Sequence, residues 1–214
     1  MNPMRLTLLL VLIFLSARQA EADFATARPN VLIFICDDLS ARDIIPYGAR
    51  DVRTPRLAAF ARGALVFDRA FIVSPACAPS RAALLTGLNP ARNGAIANHE
   101  YKRDDVASLP PLFAALGYQT AAFGKVAHGA KDAPRHGFSH VPETNRFRAA
   151  DIAAWLSARD RSRPVVLFAG TPAPHVPWPQ NDGYETAALT VPRNHYDTPE
   201  YRADRARYYT DVTQ

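Results

Sequence analysis

The sequence is poor in cysteine, lysine and long apolar runs, and each shortage excludes a class of protein. Two cysteines in 214 residues cannot staple a disulfide scaffold. Ten glycines without a repeating period rule out collagen-like and solenoid arrays. The longest apolar run, Leu6 to Leu15, is ten residues, whereas a membrane-spanning helix needs about 20. No basic run is interleaved with aromatics, which argues against a nucleic-acid partner. No Asn-x-Ser/Thr sequon occurs, a weak sign against a glycosylated animal protein. What remains is a globular balance, 48% hydrophobic and 21% charged, enough to build the core of one domain of roughly 150–200 residues. Eighteen prolines point to short loops and few long helices.

The start of the chain reads as a leader. Arg5 supplies a short positive region, Leu6 to Leu15 an apolar core, and Ala20-Glu21-Ala22 a small-x-small cleavage site before Asp23. This is the pattern of a secretory signal peptide over residues 1–22, and it predicts a secreted or periplasmic chain with no membrane attachment after cleavage. The formal charge is +5; removing Arg5, Arg18 and Glu21 lowers it by one. Apart from Lys102, Lys125 and Lys131, the basic residues are all arginines. That composition suits binding of sulfate or phosphate groups, and codon bias in a GC-rich genome would produce it equally well.

Strands and helices alternate along the rest. Val31 to Cys36 is a continuous apolar run, expected to be a buried strand that ends at Asp37-Asp38. Thr54-Pro55 opens a helix through Arg62, stopped by Gly63. Ala64 to Ile72 reads as a second strand, and Pro79 to Thr86 as a helix starting just after Cys77. Ser108 caps a helix through Leu116, and Tyr118 to Phe123 is a strand. Arg148 to Arg159 is an amphipathic helix with Ile152, Trp155 and Leu156 on one face, followed by a strand at Val165 to Ala169. The pattern predicts an α/β fold, a mainly parallel sheet sandwiched by helices. In such sheets ligands bind beyond the carboxyl ends of the strands. Asp37 and Asp38, Lys125 and His175 each follow a strand, so residues far apart in sequence are expected at one edge.

These residue types suggest chemistry. Two adjacent carboxylates are a start on a hard-cation site that needs six or more oxygens, although Asp pairs also cap helices and make turns. Cys77 stands before a helix N-terminus, where free N–H groups favour an anion. Arg81 is one turn on, with its guanidinium on the same face. Such a cysteine fits a thiolate nucleophile, a buried free thiol, or a disulfide with Cys36.

Cys77-Ala78-Pro79-Ser80-Arg81 followed by Leu84-Leu85-Thr86-Gly87 resembles the sulfatase signature C-x-P-S-R with its trailing L-T-G. Pro29-Asn30-Val31 through Asp37-Asp38-Leu39 is similar to the family's opening strand and metal-binding aspartates. Gly124-Lys125-Val126-Ala127-His128-Gly129 and Pro174-His175-Val176-Pro177-Trp178 resemble later blocks, in the form seen in the iduronate-2-sulfatase branch. The resemblance covers about residues 28–214. It implies the alkaline phosphatase/sulfatase-like fold and hydrolysis of a sulfate ester of a sugar or polysaccharide. It also implies that a formylglycine-generating enzyme oxidises Cys77 to formylglycine, whose hydrate is the nucleophile. Asp37, Asp38 and the residue 77 oxygen would hold calcium, or magnesium in its place. Arg81 and Lys125 would stabilise the formylglycine and the sulfuryl oxygens. His175 would protonate the leaving alcohol and His128 would take the proton that lets sulfate depart. His99, His136, His140 and His195 lack such context and read as structural or surface residues.

The resemblance breaks near Gln214. The D-[HN]-G block and the lysine that follow in these sulfatases have no counterpart after His175, and Arg207-Tyr208-Tyr209-Thr210-Asp211 is similar to the helix preceding that block. Residues 23–214 are therefore expected to be the N-terminal part of a sulfatase catalytic domain. The alternatives are an inactive half-domain with weak anion binding, exposing a sheet edge and an uncovered core face, and a hydrolase of phosphodiesters or phosphonate esters.

Overall fold

The computed structural model describes residues 28–144 and 146–213. The expected leader, residues 1–22, lies outside the described residues. The chain divides into two units, Met1–Val31 and Leu32–Gln214. The helices, the site and the sheet beyond Val31 all belong to the second unit.

Three strands form one sheet in the order β1 (Val31–Ile35), β3 (Val165–Gly170), β2 (Gln119–Gly124). β2 and β3 run parallel in a register from Gln119 opposite Val165 to Gly124 opposite Gly170. On the other side of β3, Thr171 donates to the Ile35 carbonyl and Asp37 to the Ala173 carbonyl, the rising order of a parallel pair. Central β3 is buried along its whole length, as its unbroken apolar sequence requires. The strand expected to be buried over Val31 to Cys36 is instead the edge strand β1, with alternating burial that leaves Leu32 and Phe34 exposed, because only one of its sides is paired among the described residues.

The helices are α1 (Pro55–Ala61), α2 (Cys77–Thr86), a short α3 (Pro90–Asn93) beyond those expected, α4 (Leu109–Ala115), α5 (Ala149–Ala158) and α6 (Pro199–Thr213). Ile152 and Trp155 of α5 pack with Phe147 onto Ala121, Phe123, Val165, Leu167 and Ala169 of the sheet. A second cluster, Val52, Tyr184, Leu189, Ala206 and Tyr209, seats α6. There Asp43 accepts hydrogen bonds from Arg205, Tyr208 and Tyr209, tying α6 to a 3-10 turn after β1. Burial and the nearby Asp43 charge push both tyrosine hydroxyls well above their ordinary pKa.

Other expectations are corrected as well. Thr54 and Ser108 stand at the N-cap positions of α1 and α4, but neither hydroxyl caps its helix. Thr54 accepts from the Ile45 N–H instead, and Ser108 pairs with His136 Nδ1 at 2.8 Å. Residues 64–72 form no strand, and Leu65, Phe67, Phe71 and Ile72 are exposed. An apolar run becomes a strand only where a neighbour completes its hydrogen bonds, and among the described residues this segment pairs with none of the three strands. Helix α2 begins at Cys77 rather than after it, with Ala76 as N-cap. None of the helices among the described residues is long and apolar enough to cross a membrane.

Candidate active site at the carboxyl edge of the sheet

The carboxyl ends of the three strands and the first two turns of α2 gather six of the expected residues: Asp37, Asp38, Cys77, Arg81, Lys125 and His175. Asp37 leaves β1 buried and accepts from Arg81 Nη2 at 2.8 Å through one carboxylate oxygen and from Lys125 Nζ through the other. Burial pushes the Asp37 carboxyl up, but the hydrogen bonds and charges of Lys125 and Arg81 outweigh it and hold its pKa below the ordinary value. Asp38 has a left-handed backbone, φ 60°, tolerable for aspartate. Its half-exposed carboxylate faces Cys77 Sγ at 3.9 Å and His175 Nε2 at 3.7 Å. The two aspartates thus differ: one neutralises buried cations and the other faces the cleft.

Lys125 owes its place to two glycines. Gly124 ends β2 at φ 71° and Gly170 ends β3 beside it. A Cβ on Gly124 would fall on the Gly170 carbonyl, and one on Gly170 on the Lys125 carbonyl. Their close approach lets the Lys125 N–H donate to the Gly170 carbonyl at 2.8 Å and turns the chain so that Lys125 reaches Asp37. Arg81, on the second turn of α2, also donates to the carbonyls of Lys125 and Val126. The start of α2 is held by Asn98, whose side-chain oxygen accepts from the Ala78 N–H at 3.0 Å.

Cys36 and Cys77 are free thiols. Cys77 lies 4.0 Å from Lys125 Nζ. Burial and then the Asp37 charge push its pKa up despite that lysine, surroundings less favourable to a thiolate than a lysine alone would be. Asp37, Cys77 and His175 together present ligand atoms within 4.8 Å of one another. That set holds one carboxylate, one thiol and one imidazole, and Asp38, beside Cys77 and His175, offers a second carboxylate; an oxygen in place of the sulfur on residue 77 would suit a hard cation better. A cleft of about 520 Å³ opens beside these groups, lined by Asp37, Asp38, Cys77, Ser80 and Arg81 and walled by Phe71 and Leu84.

His175 Nδ1 lies 2.6 Å from the Val176 carbonyl. A carbonyl only accepts, so Nδ1 carries a proton and Nε2, facing Asp38, is the nitrogen free to exchange one. His128 makes no hydrogen bond to these six among the described residues. Its Nε2 meets His99 Nδ1 at 3.0 Å. Burial, followed by the neighbouring His99 and Lys125, pushes the His128 pKa down, favouring the neutral ring. Sequence reasoning missed His99 and Asn98: neither belongs to a spaced motif, and only the folded loop brings them in. His136 and His140 are packed residues as expected, the first beside Ser108, the second stacked on Trp155 at 5.6 Å.

An open parallel α/β sheet with carboxylates, cations and a cysteine-bearing helix turn at its carboxyl edge is the fold of alkaline phosphatase/sulfatase-like hydrolases. A family model described as Sulfatase matches residues 29–151, and the chain belongs to the sulfatase family. It is 27% identical over 234 residues to an N-acetylglucosamine-6-O-sulfatase of Bacteroides thetaiotaomicron, covering 96% of this chain and 42% of that relative. A protein solved in complex with its substrate D-glucosamine-2-N,6-O-disulfate superposes with TM-score 0.63 at 26% identity, over 72% of this chain and 36% of the other. The phosphonate monoester hydrolase of Agrobacterium radiobacter superposes at 0.64 with 18% identity, over 86% and 56%, a likeness of fold alone. The chain thus spans about half or less of the length of these relatives.

Proposed function

We propose that residues 23–214 are the N-terminal part of a sulfatase catalytic domain, that the chain is exported to the periplasm or beyond, and that the domain hydrolyses sulfate esters of sugars. The observation that carries this is the placement of Cys77 on the first turn of α2, between the Asp37–Arg81–Lys125 cluster and the Asp38–His175 pair. The family match and the disulfated glucosamine bound by a structural relative support a sulfated sugar as substrate. The leader pattern of residues 1–22 supports export.

The residues divide the work by position. Arg81 and Lys125, held at the sheet edge by Asp37, would supply N–H donors to sulfuryl oxygens. Asp37, Asp38 and an oxygen on residue 77 would hold a divalent cation, which when bound polarises the ester. Oxidation of Cys77 by a formylglycine-generating enzyme would supply that oxygen and a hydrated aldehyde as nucleophile. His175 Nε2 hands a proton to the departing sugar oxygen, its ring fixed by the Val176 carbonyl. His128, held neutral, accepts a proton from the second hydroxyl of residue 77 so that sulfate can leave.

The test is the protein purified from its producing cell, with a peptide map over Cys77 and assays on aryl sulfates, aryl phosphates and sulfated disaccharides. Formylglycine at position 77 and sulfate hydrolysis abolished by Cys77→Ala are expected. An unmodified thiol with no hydrolysis would establish the inactive half-domain, and a clear preference for phosphate esters would replace the sulfate assignment.

A further inference from the structure

The contact between His99 and His128 has a geometry of its own. His99 lies between α3 and α4 with a left-handed backbone, φ 70°, a conformation that persists in a non-glycine residue only where its surroundings hold it. Here they do. The Glu100 carboxylate accepts from the N–H groups of Ile96 and Ala97, closing the loop. Asn98 accepts from Ala78 in the first turn of α2. The loop that carries His99 is therefore fastened to the turn that carries Cys77. On the opposite side, the His128 N–H donates to the Asp132 carboxylate at 2.9 Å, and the preceding Val126 and Ala127 are fully buried. Two anchored backbones thus bring the rings edge to face, centroids 4.7 Å apart, with Nε2 of His128 3.0 Å from Nδ1 of His99.

The proton positions are set by what each nitrogen faces. His128 Nδ1 is buried and has no hydrogen-bond partner among the described residues. A buried N–H with no acceptor is less tolerable than a bare lone pair. The His128 proton therefore belongs on Nε2, donated to His99 Nδ1, and the proton of His99 sits on its own Nε2. We propose that His99 is a positioning residue: by accepting the Nε2 proton it holds His128 in the tautomer whose Nδ1 lone pair is free. This rests on the base role proposed for His128. A proton taken up at Nδ1 gives an imidazolium whose Nε2–H is already bonded to His99, so the ring need not turn between uptake and release. Lys125, Arg81 and Asp132 are the other charged groups near His128.

The experiment is long-range proton–nitrogen NMR of the imidazoles in the ¹⁵N-labelled full chain. Wild type is expected to show His128 protonated on Nε2 and bare on Nδ1. His99→Gly keeps the left-handed backbone, removes the acceptor, and should give a mixture of tautomers. His99→Asn tolerates the same backbone, offers an amide oxygen near the Nδ1 position, and should restore the wild-type tautomer. A His128 proton on Nδ1 in wild type, or one tautomer common to all three proteins, overturns the proposal. The readout does not depend on hydrolysis: an unmodified, inactive Cys77 protein with the expected tautomers refutes the proposed hydrolysis and leaves the tautomer assignment standing, and an active protein with unchanged tautomers refutes the positioning alone.

Discussion

Replacing Asp37 by asparagine keeps shape and removes one charge. In the wild type that carboxylate has 3% side-chain exposure and faces Arg81, at 5%, and Lys125, at 18%. Without it two cations are left together, one of them with almost no access to water. Breaking a buried pair by removing one partner costs about 3–5 kcal/mol, because the stranded charge keeps its desolvation penalty. Lys125 is partly solvated and can swing outward, which places the expectation near the lower end, about 3 kcal/mol. In a domain of this size 1 kcal/mol corresponds to roughly 2–4 °C, so Asp37→Asn should melt on the order of 6–12 °C lower.

The assay is urea unfolding monitored by circular dichroism, with Arg81→Met and the double variant completing a cycle. The double variant should be less destabilised than the sum of the singles, with a coupling of about 1–3 kcal/mol. Stability should also depend on pH through this group. The Asp37 pKa lies below its ordinary value of 3.8, so its contribution is present above that value and lost as pH falls through the folded-state pKa. An Asp37→Asn protein within about 0.5 kcal/mol of wild type, the range of ordinary surface changes, would refute the reasoning. It would mean that the cations find other partners.

Asp38→Asn should leave stability within about 0.5 kcal/mol of wild type, since the side chain is half exposed and asparagine tolerates the left-handed backbone; parallel urea titrations separate it from Asp37→Asn. Gly170→Ala should lower the melting temperature and displace Lys125, because the added methyl meets the Lys125 carbonyl backbone; a melting curve and the chemical shift of the Lys125 ammonium check both. Burial lowers the pKa of His128 and of His140 below 6.5, so each is neutral in the fold while the unfolded chain takes up its proton. Their stabilising contribution is present above about pH 6.5 and lost as pH falls through the folded-state values. Urea midpoints should therefore drop on acidification, and less so in a His128→Gln/His140→Gln variant.

The sequence carried the sheet and most of the site because both are local in origin. A strand buried on both sides must be apolar throughout, as Val165 to Ala169 is, and a residue just past such a strand must lie at the sheet's carboxyl edge. What was not legible depended on partners distant in sequence. Residues 64–72 have the composition of a strand, yet pairing is decided by whether the tertiary fold lays the segment along another strand, which composition does not encode. Thr54 and Ser108 occupy capping positions, but tertiary acceptors and donors claimed their hydroxyls. The division of labour between Asp37 and Asp38 is invisible in an Asp-Asp dipeptide; it arises in the bend after the strand, where Asp37 stays buried against two cations and Asp38 takes a left-handed backbone. His99 enters through a left-handed turn held by Glu100 and Asn98, which no periodicity announces.

The charges at the sheet edge lead to one further expectation. Asp37 and Asp38 balance Arg81 and Lys125, so the cluster is close to neutral while its histidines are uncharged. Both cations are already engaged by Asp37, and an incoming sulfate would have to share them with a carboxylate of like charge. A divalent cation taken up by the two carboxylates reverses this balance, leaving the cluster with an excess of positive charge and drawing Asp37 away from exclusive pairing. Anion and cation should therefore bind cooperatively, and by linkage each should raise the affinity of the other by the same factor. Thermal melting with sulfate alone, calcium alone and both should show a joint stabilisation larger than the sum of the separate ones, absent in Asp38→Asn. Additive shifts would mean that the sulfate is held by Arg81 and Lys125 without help from the carboxylates' occupant, and the charge argument would fail.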